Sequence, residues 1–257
     1  MGFALDRGAG RCGSKGRGTT EEETALTGVK CGSRLRLLGG FQLELSGTVV
    51  NPPANGRRLL AFLGIRGSSP RSLVAGTLWP EVTEHNAQGS LRTTMWRLHR
   101  AGPTLIDAVG ERLALGAGLA VDCRDLALAV AGTAGQRTGV RERVLLDGGE
   151  LLPGWYDDWV IFERERLRQL RLHALEAYAQ LMADEGDYAR ALQLVLEAVQ
   201  SEPLRESAHR VVIGIHLAEG NVVEALRHYA FVRDLLRSEL GIAPSRRLTA
   251  LLPVTGP

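Results

Sequence analysis

A chain of 257 residues, 44% hydrophobic and 23% charged, can bury ordinary cores, which excludes a wholly disordered protein and predicts two domains. No run approaches the about 18 apolar residues of a membrane span, and the N-terminus lacks the apolar core of a secretory signal, so a cytoplasmic protein with no membrane partner is expected. The formal net charge of +2 hides an asymmetry: residues 34–118 hold ten Lys or Arg against five Asp or Glu, whereas residues 119–257 hold sixteen against twenty, a balance that turns only the first part toward a polyanion.

Residues 1–33 are rich in Gly, Arg, Thr and Glu and are expected to form a disordered leader, which translation from Val29 would remove. Within it Gly8 to Lys15 reads GAGRCGSK, close to a phosphate-binding loop. Ser14 and Lys15 stand in the reverse of the order that brings lysine to phosphate and hydroxyl to magnesium, and no strand precedes them, so no nucleotide site is expected. Cys12, Cys31 and Cys123 are odd in number and widely spaced, which fits ordinary thiols rather than a disulfide framework or a zinc site.

Ordered structure is predicted from Arg34. Alternation from Phe41 to Leu45, with a turn at Gly47 and Thr48, gives a strand pair. After the break at Pro52-Pro53 and Asn55-Gly56, residues 57–63 (RRLLAFL) carry helical spacing. A second helix runs from Leu73 to Trp79 and is stopped by Pro80. A polar loop then leads into a third helix over 86–100, with Leu91, Met95 and Leu98 on one stripe and Arg92, Thr93, Trp96, Arg97 and Arg100 on the opposite face. Residues 104–115 read as a hairpin with its turn at Gly110.

A strand, three helices and a terminal hairpin are the order of a winged helix-turn-helix. An exposed face of arginines, threonine and one aromatic suits a major groove, where arginine meets phosphate or guanine and apolar atoms meet the thymine methyl. Arg112 on the hairpin is placed to reach a neighbouring phosphate. The same charges on a solvated face define the alternative, a protein-interaction scaffold with a degenerate winged helix.

A short apolar helix is expected from Asp125 to Val130 as the second domain begins at residue 119. Trp155 and Trp159 bracket a Pro153-Gly154 turn and are expected to pack against helices. From Val160 the pattern is helical and repeats: Gly186, Ala191 and Leu192 recur as Gly220, Ala225 and Leu226, each displaced by 34 residues. That is the tetratricopeptide period, in which the glycine closes the turn between paired helices; Pro203 ends the second helix of the first unit. Catalytic patterns such as HExxH and GxSxG are missing from the sequence, and His209 and His216, seven apart, have no matching Cys or carboxylate, so neither enzyme chemistry nor a metal site is expected.

The segments LRLLGGFQLEL (35–45), LVAGTLWPE (73–81), SLRTTMWRLHRAG (90–102), ELLPGWYDDWVIFERERLRQLRLHALE (150–176) and LRSELGIAPSRRL (236–248) together resemble the Streptomyces antibiotic regulatory proteins. The resemblance implies a mainly α protein with a small β part: an OmpR-like winged helix-turn-helix domain over 34–118, then a tetratricopeptide-like bacterial transcriptional activation domain over 119–252 and a tail at 253–257. It implies an activator that binds direct repeats in double-stranded promoter DNA as a dimer and recruits RNA polymerase through its sigma subunit. Helix 87–100 would be the recognition helix, 104–115 the wing, and the loop 81–86, with Glu81, Glu84 and His85, the polymerase contact. Two departures stand out. No nucleotide-binding or sensor domain of the larger members lies in these 257 residues, so no cofactor is implied. Gly89 weakens the start of the recognition helix by about 1 kcal/mol relative to alanine.

Overall fold

The computed structural model describes residues 32–101, 105–131, 145–146 and 148–252; residues 1–31 of the expected leader, with the loop-like Gly8 to Lys15, Cys12 and Cys31, and Thr104 and the tail lie outside them, whereas Ser33, expected to end the leader, opens the first strand. Strand β1 (Ser33–Arg36) pairs antiparallel with β2 (Gln42–Leu45), and β2 pairs with β3 (Thr48–Val50). Leu35 and Leu43 face each other across β1 and β2 and are fully buried, while Arg34 and Arg36 alternate to the solvent side. The β2–β3 turn is Ser46-Gly47, one residue earlier than expected, with both residues at positive φ (49° and 85°), the two-residue geometry that matches strand twist.

Helix α1 (Ala54–Arg66) is apolar nearly all round: Leu59, Leu60, Ala61, Phe62 and Leu63 are each at most 2% exposed, so it is the core about which the first domain is packed. The two-residue strand β4 (Ser69–Pro70) leads into α2 (Arg71–Leu78), followed by α3 (Glu84–Ala101). Strands β5 (Ile106–Val109) and β6 (Arg112–Leu115) form the wing, and β4 adds a third strand beside β6. Residues 119–121 then form β7 (Leu119–Val121), which runs parallel to β1 and completes the first sheet in the order β3-β2-β1-β7. The sheet that opens the fold therefore takes in residues beyond 118. Its closing strand pairs with a partner about 85 residues earlier, a link with no local signature.

Helix α4 (Asp122–Ala131) begins three residues before the expected Asp125, and its first two polar residues lock the turn. Asp122 accepts hydrogen bonds from the backbone N–H groups of Leu37, Leu38 and Cys123 at 2.7–3.0 Å. Burial pushes its carboxyl pKa up against the lowering effect of those bonds. Arg124 donates to the carbonyls of Leu63 and Gly64 at 2.6 and 2.8 Å, placing a cation on the C-terminal end of α1, where the helix dipole favours it.

The long helix α5 (Asp158–Asp184) serves two cores. Its N-terminal part joins the first: Trp159 packs edge-on against Phe62 at 5.4 Å between ring centroids, and Val160 and Leu167 are buried in the same cluster. Trp155 stacks on Phe41 at 6.2 Å, so both tryptophans pin the junction as their spacing suggested. The strand-like residues around Leu151 pair with Leu38, and Arg164 donates to the carbonyls of Leu151, Leu152 and Trp155.

The C-terminal part of α5 packs with α6 (Tyr188–Ser201) and α7 (Glu206–Ala218), and α8 (Val222–Leu240) closes on α7, with a last turn α9 (Arg246–Thr249). The 34-residue repeat is structural. Gly186 and Gly220 have φ of 82° and 84°, and Asp187 and Asn221 donate backbone N–H groups to Met182 and His216, equivalent carbonyls one repeat apart. Ala191 and Ala225 are fully buried where the helices cross; Leu192 is half-buried, whereas Leu226 is exposed at the end of the array. Helix α6 ends at Ser201, two residues before Pro203. Helices followed by paired helices after a small β part make this a winged-helix plus helical-repeat fold. Among the described residues no helix is long and apolar enough to cross a membrane.

Candidate nucleic-acid interface

Helix α3 owes its orientation to its own periodicity. Ala87, Leu91 and Leu98 are at most 1% exposed, Thr94 is buried and Met95 half-buried, and these positions fall on one stripe against α1 and α2. Leu98 meets Gly56 of α1 so closely that a Cβ there would lie 2.9 Å from its Cδ2. Arg71, at the start of α2, directs a guanidinium N–H to the Met95 sulfur at 3.7 Å. The backbone of α3 begins with Ala87 donating to Thr83, has Glu84 in its first turn and His99 and Arg100 in its last, charges that complement the helix dipole, and runs through Gly89 unbroken.

With that stripe inward, Arg92, Thr93, Trp96, Arg97, His99 and Arg100 are all exposed, and Trp96 presents 60% of its surface. Arg100 lies over the Trp96 ring with its guanidinium carbon 5.2 Å from the centroid, a cation–π contact one helical turn apart that orders both side chains. Thr93 donates its hydroxyl to the Gly89 carbonyl at 3.0 Å, which turns the rest of the side chain, its methyl included, to the outside. Three arginines, a threonine methyl and an indole thus share one uncovered surface, which can do what the residue types suggest: meet phosphates, guanine edges and thymine methyls.

The remaining expected residues fall differently. Arg112 is on the wing as expected, but it donates from Nε and Nη2 to the hydroxyl and carbonyl of Ser68, bracing the strand that β4 adds. Glu81, Glu84 and His85 are exposed, yet only Glu81 is in the connection between α2 and α3; Glu84 and His85 form the first turn of α3, so the loop expected over 81–86 is shorter. Thr83 ends that connection, and its carbonyl takes the first helical bond. The sequence reading weighed His209 only against His216 and missed its pairing with His228, whose ring meets it at 3.0 Å between Nδ1 of His209 and Nε2 of His228. His209 Nε2 donates to the Pro203 carbonyl at 2.7 Å, so its Nδ1 accepts from His228. Burial and the neighbouring histidines hold His228 down to about 4, and burial lowers His209 as well. The pair joins α7 and α8 to the preceding turn, and no group of three metal-ligating side chains forms among the described residues.

Comparison with known proteins places these features. Residues 127–252 match the bacterial transcriptional activator domain. The chain is similar to regulatory protein AfsR of Streptomyces coelicolor, 32% identical over 211 residues, and to that of Streptomyces griseus, 32% identical over 213 residues; each match covers 76% of this chain and 21% of the relative. The chain thus spans about a fifth of the length of those proteins. Among solved structures, Mycobacterium tuberculosis EmbR in complex with a low-affinity phosphopeptide superposes with a TM-score of 0.62 at 22% identity, over 85% of this chain and 63% of EmbR, and shares the fold.

Proposed function

Since residues 127–252 belong to the bacterial transcriptional activator domain family and the chain is a homologue of the Streptomyces antibiotic regulatory proteins, we propose that it is a cytoplasmic, sequence-specific DNA-binding activator. The observation that carries this reading is the α3 surface, arginine-bearing and uncovered on one side, leucine-packed on the other. In this reading α3 enters the major groove of double-stranded DNA. Arg92 and Arg97 meet phosphates or guanine O6 and N7; Thr93 and Trp96 meet a thymine methyl; Arg100, ordered on Trp96, holds the backbone. Arg112 adds charge from the wing while bracing Ser68.

Two protomers side by side on direct repeats extend the contact, and the exposed Glu81, Glu84 and His85, at the entry to α3, offer a contact to RNA polymerase and its sigma subunit. Helices α5 to α8 hold that arrangement and supply protein contacts, as stacked helical pairs do.

Enrichment of binding sequences from a random duplex pool, followed by affinities of Arg97→Ala on every single-base change of the enriched site, tests the reading. A guanine contact by Arg97 makes the variant lose about 1–3 kcal/mol and become indifferent at that one base. A wild-type chain that enriches no sequence contradicts the proposal.

A further inference from the structure

We propose that Gly89 is the point at which α3 comes closest to the duplex, its missing side chain setting how deeply the N-terminal half of the helix enters the groove; the inference rests on the reading of α3 as the groove-facing helix. Glycine inside a helix is disfavoured against alanine, and its uses are a left-handed torsion or the close approach of another group to the backbone. Neither use is internal to this chain. Gly89 is absent from the residues at positive φ, and α3 runs through it as a regular helix. Among the described residues, a Cβ built there would meet only the Arg92 Nη2, at 3.9 Å, an ordinary contact.

Gly76 on α2 is open in the same way; what sets Gly89 apart is its place. On a helix of about 3.6 residues per turn, Gly89, Thr93, Trp96 and Arg100 fall within about 60° of one another, on the side opposite the buried Leu91 and Leu98. Along that outward line, which runs for about 16 Å, the side chain grows from none to a threonine and then to an indole with Arg100 lying over it. The Thr93 hydroxyl turns back to the Gly89 carbonyl at 3.0 Å, which keeps that end of the line low. The reading face therefore tapers toward the start of the helix. An α-helix with its side chains is about 10–12 Å across and the major groove about 12 Å wide, so outward side chains decide how far a helix sinks. Trp96 and Arg100 fill the groove at the tall end and hold the helix axis off the base pairs there. At Gly89 the backbone itself can approach base edges. Arg92, whose guanidinium reaches back to the open position, is carried in with it.

The test compares the wild type with Gly89→Ala and Gly89→Leu on a duplex enriched by the wild type and on a duplex of random sequence. Fluorescence anisotropy gives the affinities, and thermal melts follow each protein. Gly76→Ala, the same change on the exposed side of α2, is the control. Alanine is the better helix former and has room at both positions, so Gly89→Ala and Gly76→Ala are each expected to melt about 1–4 °C higher. Gly89→Ala nevertheless binds the enriched duplex about tenfold more weakly, the scale of one lost base contact, and Gly89→Leu more weakly still. Binding of the random duplex, which rests on phosphates, changes by less than about twofold, with the salt slope of the wild type, since no charge is altered. Gly76→Ala binds both duplexes as the wild type does. A Gly89→Ala protein that binds the enriched duplex as tightly as the wild type, or more tightly, overturns the inference. So does an equal loss on both duplexes, a lower melting temperature, or the same loss in Gly76→Ala. A wild type that enriches no sequence overturns the DNA-binding reading and this inference with it; a wild type that prefers its enriched duplex, with Gly89→Ala unaffected, overturns this inference alone.

Discussion

Arg58→Met removes a side chain that touches three parts of the fold at once. From α1, Arg58 donates to the Leu78 carbonyl at the end of α2 at 2.9 Å and to Asp157, just before α5, at 2.5 Å. Arg58 is 28% and Asp157 24% exposed by side chain, so water screens the pair in part and the contribution lies toward the lower end of a charge-assisted bond. Methionine keeps the apolar stem but leaves the Leu78 carbonyl and the Asp157 carboxylate without this partner. The expected cost is about 2 kcal/mol for Arg58→Met and about 1 kcal/mol for Asp157→Asn, with a coupling of about 1 kcal/mol between them. For a chain of this size, 2 kcal/mol lowers the melting temperature by about 4–8 °C. Urea unfolding of the four members of the cycle, followed by tryptophan fluorescence, measures the coupling directly. Losses additive to within about 0.3 kcal/mol would refute the claim that this contact joins the winged helix to the helical repeats.

Asp122→Ala strips an acceptor from three backbone N–H groups at the β1–α4 joint and is expected to cost about 2–4 kcal/mol in chemical denaturation, since the Leu37 N–H has no access to water as a substitute. At Gly149 a new Cβ would lie 3.1 Å from the Gly39 nitrogen, a backbone atom with no rotamer to yield, so Gly149→Ala should destabilise by about 1–3 kcal/mol in thermal melts. Gly76, exposed in α2 with nothing near its Cβ position, behaves oppositely, and Gly76→Ala should raise stability by about 0.5–1 kcal/mol. His228 has its folded pKa lowered from 6.5 to about 4 by burial and by its neighbours His209 and His216. The unfolded chain binds that proton first, so stability is complete above pH 6.5 and falls as pH drops toward 4. After discounting for partial exposure the loss is about 1–2 kcal/mol. Melts of the wild type and His228→Phe over that range should converge as the pH falls.

What the sequence disclosed was what is periodic. The α3 stripe of Leu91, Met95 and Leu98 and the opposing arginines could be read directly, because helical spacing maps one-to-one onto burial. The same holds for the glycine and alanine positions of the 34-residue repeat, whose backbone torsions and crossings recur. Pairings across long stretches of chain were hidden. Strand β4 is two residues long and has no period, and β7 finds β1 by a parallel register that nothing nearby encodes. Asp122, Arg58 and Arg164 read as ordinary surface charges until folding brings backbone groups to them. At the interface, the exposure of Arg112 could be inferred from alternation, but its commitment to Ser68 depends on β4 and could not. The loop before α3 was read too long because Glu84 and His85 are as polar as the turn they follow, and only the Thr83 carbonyl marks the true start.

The most direct measurement is the salt dependence of duplex binding by the wild type and by Arg92→Gln/Arg97→Gln/Arg100→Gln, with folding of both confirmed by circular dichroism. If the exposed side of α3 lies on DNA and each arginine neutralises a phosphate, the slope of log K against log salt becomes shallower by about 0.9 per arginine, close to three for the triple variant, and affinity drops by orders of magnitude at low salt. Equal slopes and equal affinities in the two proteins would mean that the duplex, if bound, sits elsewhere.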